Sequence, residues 1–126
     1  ALEKANISCM DVDYINGYGS SLSHVDINEL EAIDECFYKK GKQPTISSTK
    51  SMLGHSFGAS ALLEVISTAL ALKESVAIPN INIDNPHDKY NHFLFAEKND
   101  EINYKYALKL SFASGNRNTA IVLKKV

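Results

Sequence analysis

The chain has 126 residues, of which 44% are hydrophobic, so its length and composition allow one domain with its own core. Its formal net charge of −2 gives no electrostatic reason to bind nucleic acid or an anionic membrane, and neither partner is expected. The two cysteines, Cys9 and Cys36, form no disulfide or metal-binding pattern and are expected to be ordinary buried or half-buried residues. We therefore expect a cytoplasmic protein without a metal or cofactor.

The first twenty residues predict a chain that begins inside a larger structure. Residues 1–5 resemble the tail of a helix and include no initiator methionine, so we expect a fragment or a processed part of a longer protein. Residues 11–16 predict a short β-strand, and the small residues at 17–21 predict a loop after it.

An amphipathic helix is predicted over residues 26–40. Asp26 has the side chain of an N-cap, and Glu29 stands at the capping-box position. Apolar residues recur at spacings of three and four, at Ile27, Leu30, Ile33 and Phe37. Gly41 is expected to end this helix.

A short strand at residues 44–48 and a loop lead to a second helix, predicted at about 57–73. Its apolar residues cover nearly the whole circumference, which is typical of a helix that is buried on every side. A single domain of this length can hardly enclose four helical turns completely. The pattern therefore implies a larger molecule, in which a missing first half, a partner subunit or both cover this helix.

The C-terminal third predicts a polar loop followed by two strands. Residues 79–88 are rich in turn-forming side chains. The strands at 106–112 and 119–125 are joined by so short a link that they should be antiparallel neighbours. The order β-α-β-α-β-β predicts an α/β layer with a mixed sheet.

The loop before the second helix contains the residues best suited to chemistry. His55 lies next to Gly54, and the positive end of the following helix disfavours a protonated imidazole. A neutral ring in that position can donate an N–H to a thioester or carboxylate oxygen that gains charge during reaction. Lys50 would add electrostatic support. The same spacing also fits a histidine that only packs or caps the loop.

Glu64 is the one charged residue in the apolar part of the second helix. Burying an unpaired carboxylate costs on the order of several kcal/mol, so a buried Glu64 requires a partner. Lys50 is the expected partner, because its loop must fold back near the first turns of the helix. The alternative is that Glu64 marks an exposed seam along the helix.

Four segments resemble the β-ketoacyl-(acyl carrier protein) synthases, in order and with matching spacing. They are residues 11–21, 48–59, 79–86 and 110–118. The resemblance covers essentially the whole chain and implies the second half of a thiolase-like layered fold with a buried central helix. Residues 1–126 would then be the C-terminal half-domain, and the N-terminal half with the nucleophile would be absent from this chain.

Elongating members of this family use a cysteine from the first half and two histidines from the second half to condense acyl groups with malonyl-carrier protein. The resemblance places Lys50 and His55 at the family's lysine and second histidine, and Glu64 at its helix glutamate. Asp26 and Glu29 match the two acidic residues that follow the first histidine of the family, and both are expected to be structural. The family has a glycine-rich gating loop, which corresponds to residues 110–118 of this chain. Phe112 and Ser114 in this segment are the expected substrate-binding residues.

The chain departs from the family pattern at two places. Tyr18 stands where the family has its first histidine, and a phenol is a poor general base at neutral pH. His24 follows six residues later and is the only nearby candidate to replace it. Ser114 replaces the gating phenylalanine, and Ala113 and Asn116 replace glycines, which predicts a loop no longer selected to open and close.

Three functions fit these residues. The favoured one is a condensation-deficient subunit, similar to the chain-length factors of type II polyketide synthases, that pairs with an active ketosynthase and helps shape the acyl cavity. The alternative is a ketosynthase that transfers or condenses acyl thioesters using Lys50 and His55 with a cysteine from the missing half. The third is a self-sufficient binding module, against which the apolar helix at 57–73 argues. Expected partners are the N-terminal half, acyl carrier protein and a ketosynthase subunit, in a heterodimer or a homodimer.

Overall fold

A computed structural model describes residues 1–83, 90–97 and 103–126 of the chain. Helices α1, α2 and α3 span Ser23–Cys36, Lys50–Leu53 and Ser60–Glu74. Strands β1 to β4 span Tyr14–Asn16, Thr45–Ser47, Tyr106–Ala113 and Arg117–Lys124. Short 3-10 turns lie at Glu3–Ala5, Cys9–Asp11, Tyr38–Lys40 and Phe57–Ala59. Of the predicted polar loop at 79–88, residues 84–88 lie outside the described part of the chain.

Within the described residues, the strands form one mixed sheet in the order β2-β1-β3-β4. β1 pairs in parallel with β2 and β3, whereas β3 pairs antiparallel with β4. The predicted α/β fold with a mixed sheet is confirmed, as is the antiparallel pairing of the last two strands. The observed order has one addition, because α2 forms a single helical turn where the sequence predicts a loop.

The main core lies between the sheet and α1. Ile15 of β1 lies level with Ile46 of β2 and Leu108 of β3 in the strand register. These residues pack with Ile33 of α1 and with Phe37, the residue that follows α1, in one buried cluster. Since alternate strand residues face opposite sides of a sheet, the next position along each strand faces away from α1.

Helix α3 covers the opposite face of the sheet with only one of its sides. Leu72 packs into a second buried cluster with residues of β1 and β3. On its other side, Leu62 is 64% exposed, Ile66 is 48% exposed and Leu70 is 53% exposed. The apolar circumference of α3 predicts burial on every side, but within this chain only the side that faces the sheet is buried.

The boundaries of α1 differ from those predicted. The helix begins at Ser23 and ends at Cys36, and no side chain caps its first turn. The prediction that Asp26 is the N-cap, with Glu29 in a capping box, is wrong, because both carboxylates reach back to the loop before the helix. Gly41 ends the 3-10 turn after α1, with a φ of +86° that favours glycine.

A tight hairpin joins β3 and β4. Residues 114–116 form its turn, and Gly115 and Asn116 have φ values of +79° and +59°. Asparagine tolerates the left-handed region better than most residues, so Asn116 keeps a turn that a glycine would also allow. Ala113 ends β3 in extended conformation, where no glycine is needed.

The two cysteines lie apart on the surface layer of the fold. Cys9 is half-buried in a 3-10 turn, as expected. Cys36 is exposed at the end of α1, so the prediction that it is buried or half-buried is wrong. None of the helices in the described ranges has the length and apolar character needed to cross a bilayer.

Candidate functional site

A row of polar side chains crosses the sheet beneath α3. Asn16 of β1 lies level with Ser47 of β2 and Lys109 of β3, and all three are buried. Glu64 and Thr68 of α3 are also buried, and they face this row one helical turn apart. Asn16 Nδ2 donates a hydrogen bond to Thr68 Oγ1 at 2.9 Å. The buried side of this apolar helix is therefore polar from Ser60 to Thr68 and apolar only near its end, at Ala71 and Leu72.

Glu64 lies between two lysine side chains. Its Oε1 forms an ion pair with Lys50 Nζ, which confirms the predicted pairing and excludes an exposed seam. Its Oε2 lies 2.8 Å from Lys109 Nζ, as an ion contact rather than an aligned hydrogen bond. Burial lowers the pKa of the Lys109 ammonium, and the Glu64 carboxylate opposes that shift. Sequence reasoning missed Lys109, although a lysine in a run of apolar strand residues is a usable signal of a buried partner.

The ammonium of Lys50 is held on its other side by Tyr18. Lys50 Nζ donates to the backbone oxygen of Tyr18 at 2.7 Å. It also lies 4.2 Å from the centre of the Tyr18 ring, within the range of a cation–π contact. Lys50 is buried, so both its charge and its hydrogen-bonding capacity are largely used within the protein.

Two carboxylates of α1 hold the loop that carries Tyr18. Glu29 accepts the backbone N–H groups of Tyr18 at 2.6 Å and Gly19 at 2.9 Å. Asp26 accepts the N–H of Ser20 at 2.8 Å. Burial raises the pKa of the Glu29 carboxyl, while the two N–H groups that it accepts lower it.

Gly19 is required where this loop passes the start of α2. Its φ is +45°, and a Cβ added there would lie 2.5 Å from the side chain of Ser48. The loop therefore approaches Ser48 as closely as it does only because residue 19 has no side chain.

His55 lies between α2 and the 3-10 turn that precedes α3, and its ring contacts that turn and the first residue of α3. Nδ1 accepts the backbone N–H of Phe57 at 3.0 Å and lies 3.1 Å from Ser60 Oγ. In a neutral ring with Nδ1 as acceptor, the proton is on Nε2. Nε2 lies 3.1 Å from the hydroxyl oxygen of Tyr18. The N–H that the sequence suggests for a substrate oxygen is thus directed at a phenol of the same chain.

The ring of Tyr18 contacts other aromatic rings. It meets His55 edge-on with ring centres 5.8 Å apart and Phe112 of β3 at 5.7 Å. Ser114 is exposed in the hairpin turn, and His24 is exposed in the first turn of α1. The structure therefore brings together the predicted residues Tyr18, Glu29, Lys50, His55, Glu64 and Phe112.

Asn80 anchors the segment that carries Lys50, and sequence reasoning assigned it no role. Its Nδ2 donates to the backbone oxygen of Ile46 at 2.8 Å, and its Oδ1 accepts the N–H of Ser48 at 3.0 Å. The end of β2 and the start of α2 are thereby tied to the loop after α3. An asparagine that follows Pro79 in a turn-rich segment is the available sequence signal.

A family model described as "Beta-ketoacyl synthase, C-terminal domain" matches residues 1–84 of the chain. The chain is 35% identical to 3-oxoacyl-(acyl-carrier-protein) synthase 2 of Vibrio harveyi, over all of this chain and 31% of the relative. It is 37% identical to 3-oxoacyl-(acyl-carrier-protein) synthase 1 of Buchnera aphidicola subsp. Schizaphis graminum, over 98% of this chain and 30% of the relative. The chain thus spans about a third of the length of these relatives.

Solved structures show the same similarity. The chain matches a complex of a type II PKS acyl-carrier protein with its ketosynthase bound to the hexaketide, with a TM-score of 0.92 and 32% identity. It also matches the ishigamide ketosynthase/chain length factor, with a TM-score of 0.89 and 26% identity. Each match covers all of this chain and 31% of the solved chain.

Proposed function

The chain belongs to the β-ketoacyl synthases, within their C-terminal domain, and on that premise we propose that it is part of a condensation-deficient subunit of fatty-acid or polyketide synthesis. This subunit is similar to a chain-length factor. It pairs with an active ketosynthase and helps to shape the cavity that holds the acyl chain.

The hydrogen bond between Tyr18 and His55 carries this proposal. Decarboxylation of a malonyl thioester leaves negative charge on the thioester oxygen, and an N–H directed at that oxygen stabilises the charge. In this chain, the Nε2–H of His55 meets the Tyr18 hydroxyl at 3.1 Å. A substrate oxygen must displace this phenol before it reaches the imidazole.

One further observation supports a site without condensing activity. Lys50 is buried in contact with Glu64 and with the backbone and ring of Tyr18, so its ammonium is occupied within the protein. The similarity to a solved ketosynthase/chain length factor at a TM-score of 0.89 is consistent with either type of subunit. The phenol at position 18 favours the inactive one.

A second candidate function rests on the retained lysine and histidine. His55 uses Nδ1 as an acceptor, so a neutral ring carries its proton on Nε2. This is the tautomer that can donate to a thioester oxygen. If the rest of the protein supplies a cysteine nucleophile, this chain would complete a ketosynthase that transfers or condenses acyl thioesters. Acyl carrier protein is the proposed acyl donor for either function, because carrier-bound thioesters are the substrates of the family.

The full-length protein distinguishes the two functions. We expect it to co-purify with a ketosynthase and to release no CO₂ from malonyl-(acyl carrier protein) when it is assayed without that partner. Malonyl decarboxylation by the isolated subunit would overturn the proposal. A cysteine at the nucleophile position of the N-terminal half would favour the second candidate, and an inert residue there would favour the first.

The variant Tyr18→His provides a sharper test in the same full-length protein. If the nucleophile is also missing, a histidine at position 18 should not restore condensation, measured as β-ketoacyl product formed on the carrier protein. Tyr18→Phe is the matched control, because it keeps the ring against Lys50 and Phe112 but removes the hydroxyl from His55. Turnover by Tyr18→His but not by Tyr18→Phe would show that the absence of the first histidine is the only change that prevents condensation.

A further inference from the structure

Lys109 is a buried ammonium to which neither candidate function assigns a role. It is 1% exposed, in the middle of β3. Its Nζ contacts Glu64 Oε2 at 2.8 Å and Ser111 Oγ at 3.1 Å, and it donates to the backbone oxygen of Leu110. Because a buried charge is strongly unfavourable without partners, a lysine at this position requires the carboxylate that faces it.

The charges around Lys109 balance only when its ammonium is included. Among the described residues, the buried carboxylates are Glu64 on α3 and Glu29 on α1, and the other buried ammonium is Lys50 on α2. Lys109 contacts Glu64 directly at 2.8 Å, and its charge also acts on Glu29, where it opposes the rise in pKa that burial causes. With Lys109 neutral or absent, two carboxylates would share the single ammonium of Lys50.

The two carboxylates and Lys50 also determine where Tyr18 lies. Glu29 accepts the backbone N–H of Tyr18 at 2.6 Å, and Lys50 donates to its backbone oxygen at 2.7 Å. Lys50 is in turn paired with Glu64. Both polar groups of the Tyr18 backbone are therefore held by members of the charge cluster that Lys109 completes.

We propose that Lys109 is a positioning residue of the Tyr18–His55 site, which supplies the second positive charge that Glu29 and Glu64 require and so holds the Tyr18 backbone in place. It acts through these carboxylates and Lys50 and does not contact His55 itself within the described structure. The inference concerns the same site as the proposed function, but it does not depend on whether the subunit condenses. Its test accordingly measures the position of Tyr18 and not turnover.

The test uses the full-length protein with 3-fluorotyrosine at position 18, observed by fluorine NMR. We expect Lys109→Met, which keeps much of the apolar stem but removes the charge, to shift or split the resonance of residue 18. Lys73→Met is the matched control, since Lys73 is an exposed lysine near the end of α3 and should leave the resonance unchanged. A well-folded Lys109→Met protein with an unmoved resonance would overturn the inference.

A double variant separates the charge of Lys109 from its packing. Lys109→Met combined with Glu64→Gln removes one charge of each sign and leaves one buried charge of each sign, on Lys50 and Glu29. We expect this pair to return the resonance of residue 18 toward its wild-type position and to raise the midpoint of urea unfolding above that of Lys109→Met alone. If Lys109→Met does not fold, recovery of folding in the double variant supports the charge role. A double variant no better than the single one would show that Lys109 acts by packing, and the inference would be wrong.

Discussion

At the scale of single residues, Tyr18 limits what His55 can reach. The hydroxyl of Tyr18 lies beside His55, its ring face lies against Lys50, and its ring meets that of Phe112 in an edge-to-face arrangement. An imidazole at that position would offer an N–H to a substrate oxygen. A phenol instead accepts the N–H of His55 from within the chain, and we propose that neither side chain then donates to a substrate.

The buried carboxylate that holds the Tyr18 loop should give a measurable pH dependence. Burial raises the pKa of Glu29 above its ordinary value of 4.5, so the folded protein binds this proton more tightly than the unfolded chain does. The stability that protonation contributes is fully present below pH 4.5 and is lost as the pH rises through the folded pKa. Wild type should therefore gain stability relative to Glu29→Gln on acidification from pH 7.

Urea unfolding of the full-length protein at several pH values measures this difference. Glu74→Gln is the matched control, because Glu74 is exposed at the end of α3 and should follow the wild-type profile. A loss of wild-type stability relative to Glu29→Gln on acidification would contradict the prediction.

At the scale of elements, the side of α3 that packs on the sheet carries polar residues, which a helix usually exposes to water. Glu64 and Thr68 face the polar row formed by Asn16, Ser47 and Lys109 on the sheet. Hydrogen bonds and ion pairs replace the water that these groups lose, so the polar side can be buried without a large penalty. The apolar side is left outward, and we propose that the N-terminal part of the protein covers it.

The variant Leu62→Gln tests whether another part of the protein covers the outer side of α3. Leu62 is 64% exposed in residues 1–126, so a large cost of placing an amide there requires cover from another part of the protein. In the full-length protein, this change should lower the free energy of unfolding by about 2–3 kcal/mol, because a buried leucine is lost and an amide is buried in its place. Lys73→Gln, at an exposed position on the same helix, is the matched control and should have little effect. An effect of Leu62→Gln no larger than that of Lys73→Gln would show that the outer side of α3 stays exposed.

At the scale of the whole molecule, exposed apolar residues group beside the outer side of α3. A cavity of about 420 Å³ lies there and is lined mainly by apolar residues. They include Met52, Leu53, Leu70, Val76 and Ile78. Together with the exposed Leu62 and Ile66, this surface resembles the inner face of a larger core.

Residues 1–126 expressed alone should therefore not form a monodisperse monomer. We expect size-exclusion chromatography to show large or mixed species, and thermal unfolding to be broad, because the outer side of α3 has no cover. Co-expression with the remainder of the protein is the control and should restore a single species with one cooperative transition. A monodisperse, cooperatively melting monomer made from residues 1–126 alone would favour the self-sufficient binding module.

The sequence by itself determined the family, the element order and most members of the site. Local patterns carry these features, since strand alternation, helical periodicity and short motifs depend on neighbours along the chain. The boundaries of α1 were missed because Asp26 and Glu29 bind a loop brought near only by folding. Only the tertiary structure decided that Lys109 shares Glu64 with Lys50 and that Tyr18 occupies the N–H of His55. Those contacts join residues 14 to 45 positions apart, and no local pattern encodes which distant groups will meet in a buried layer.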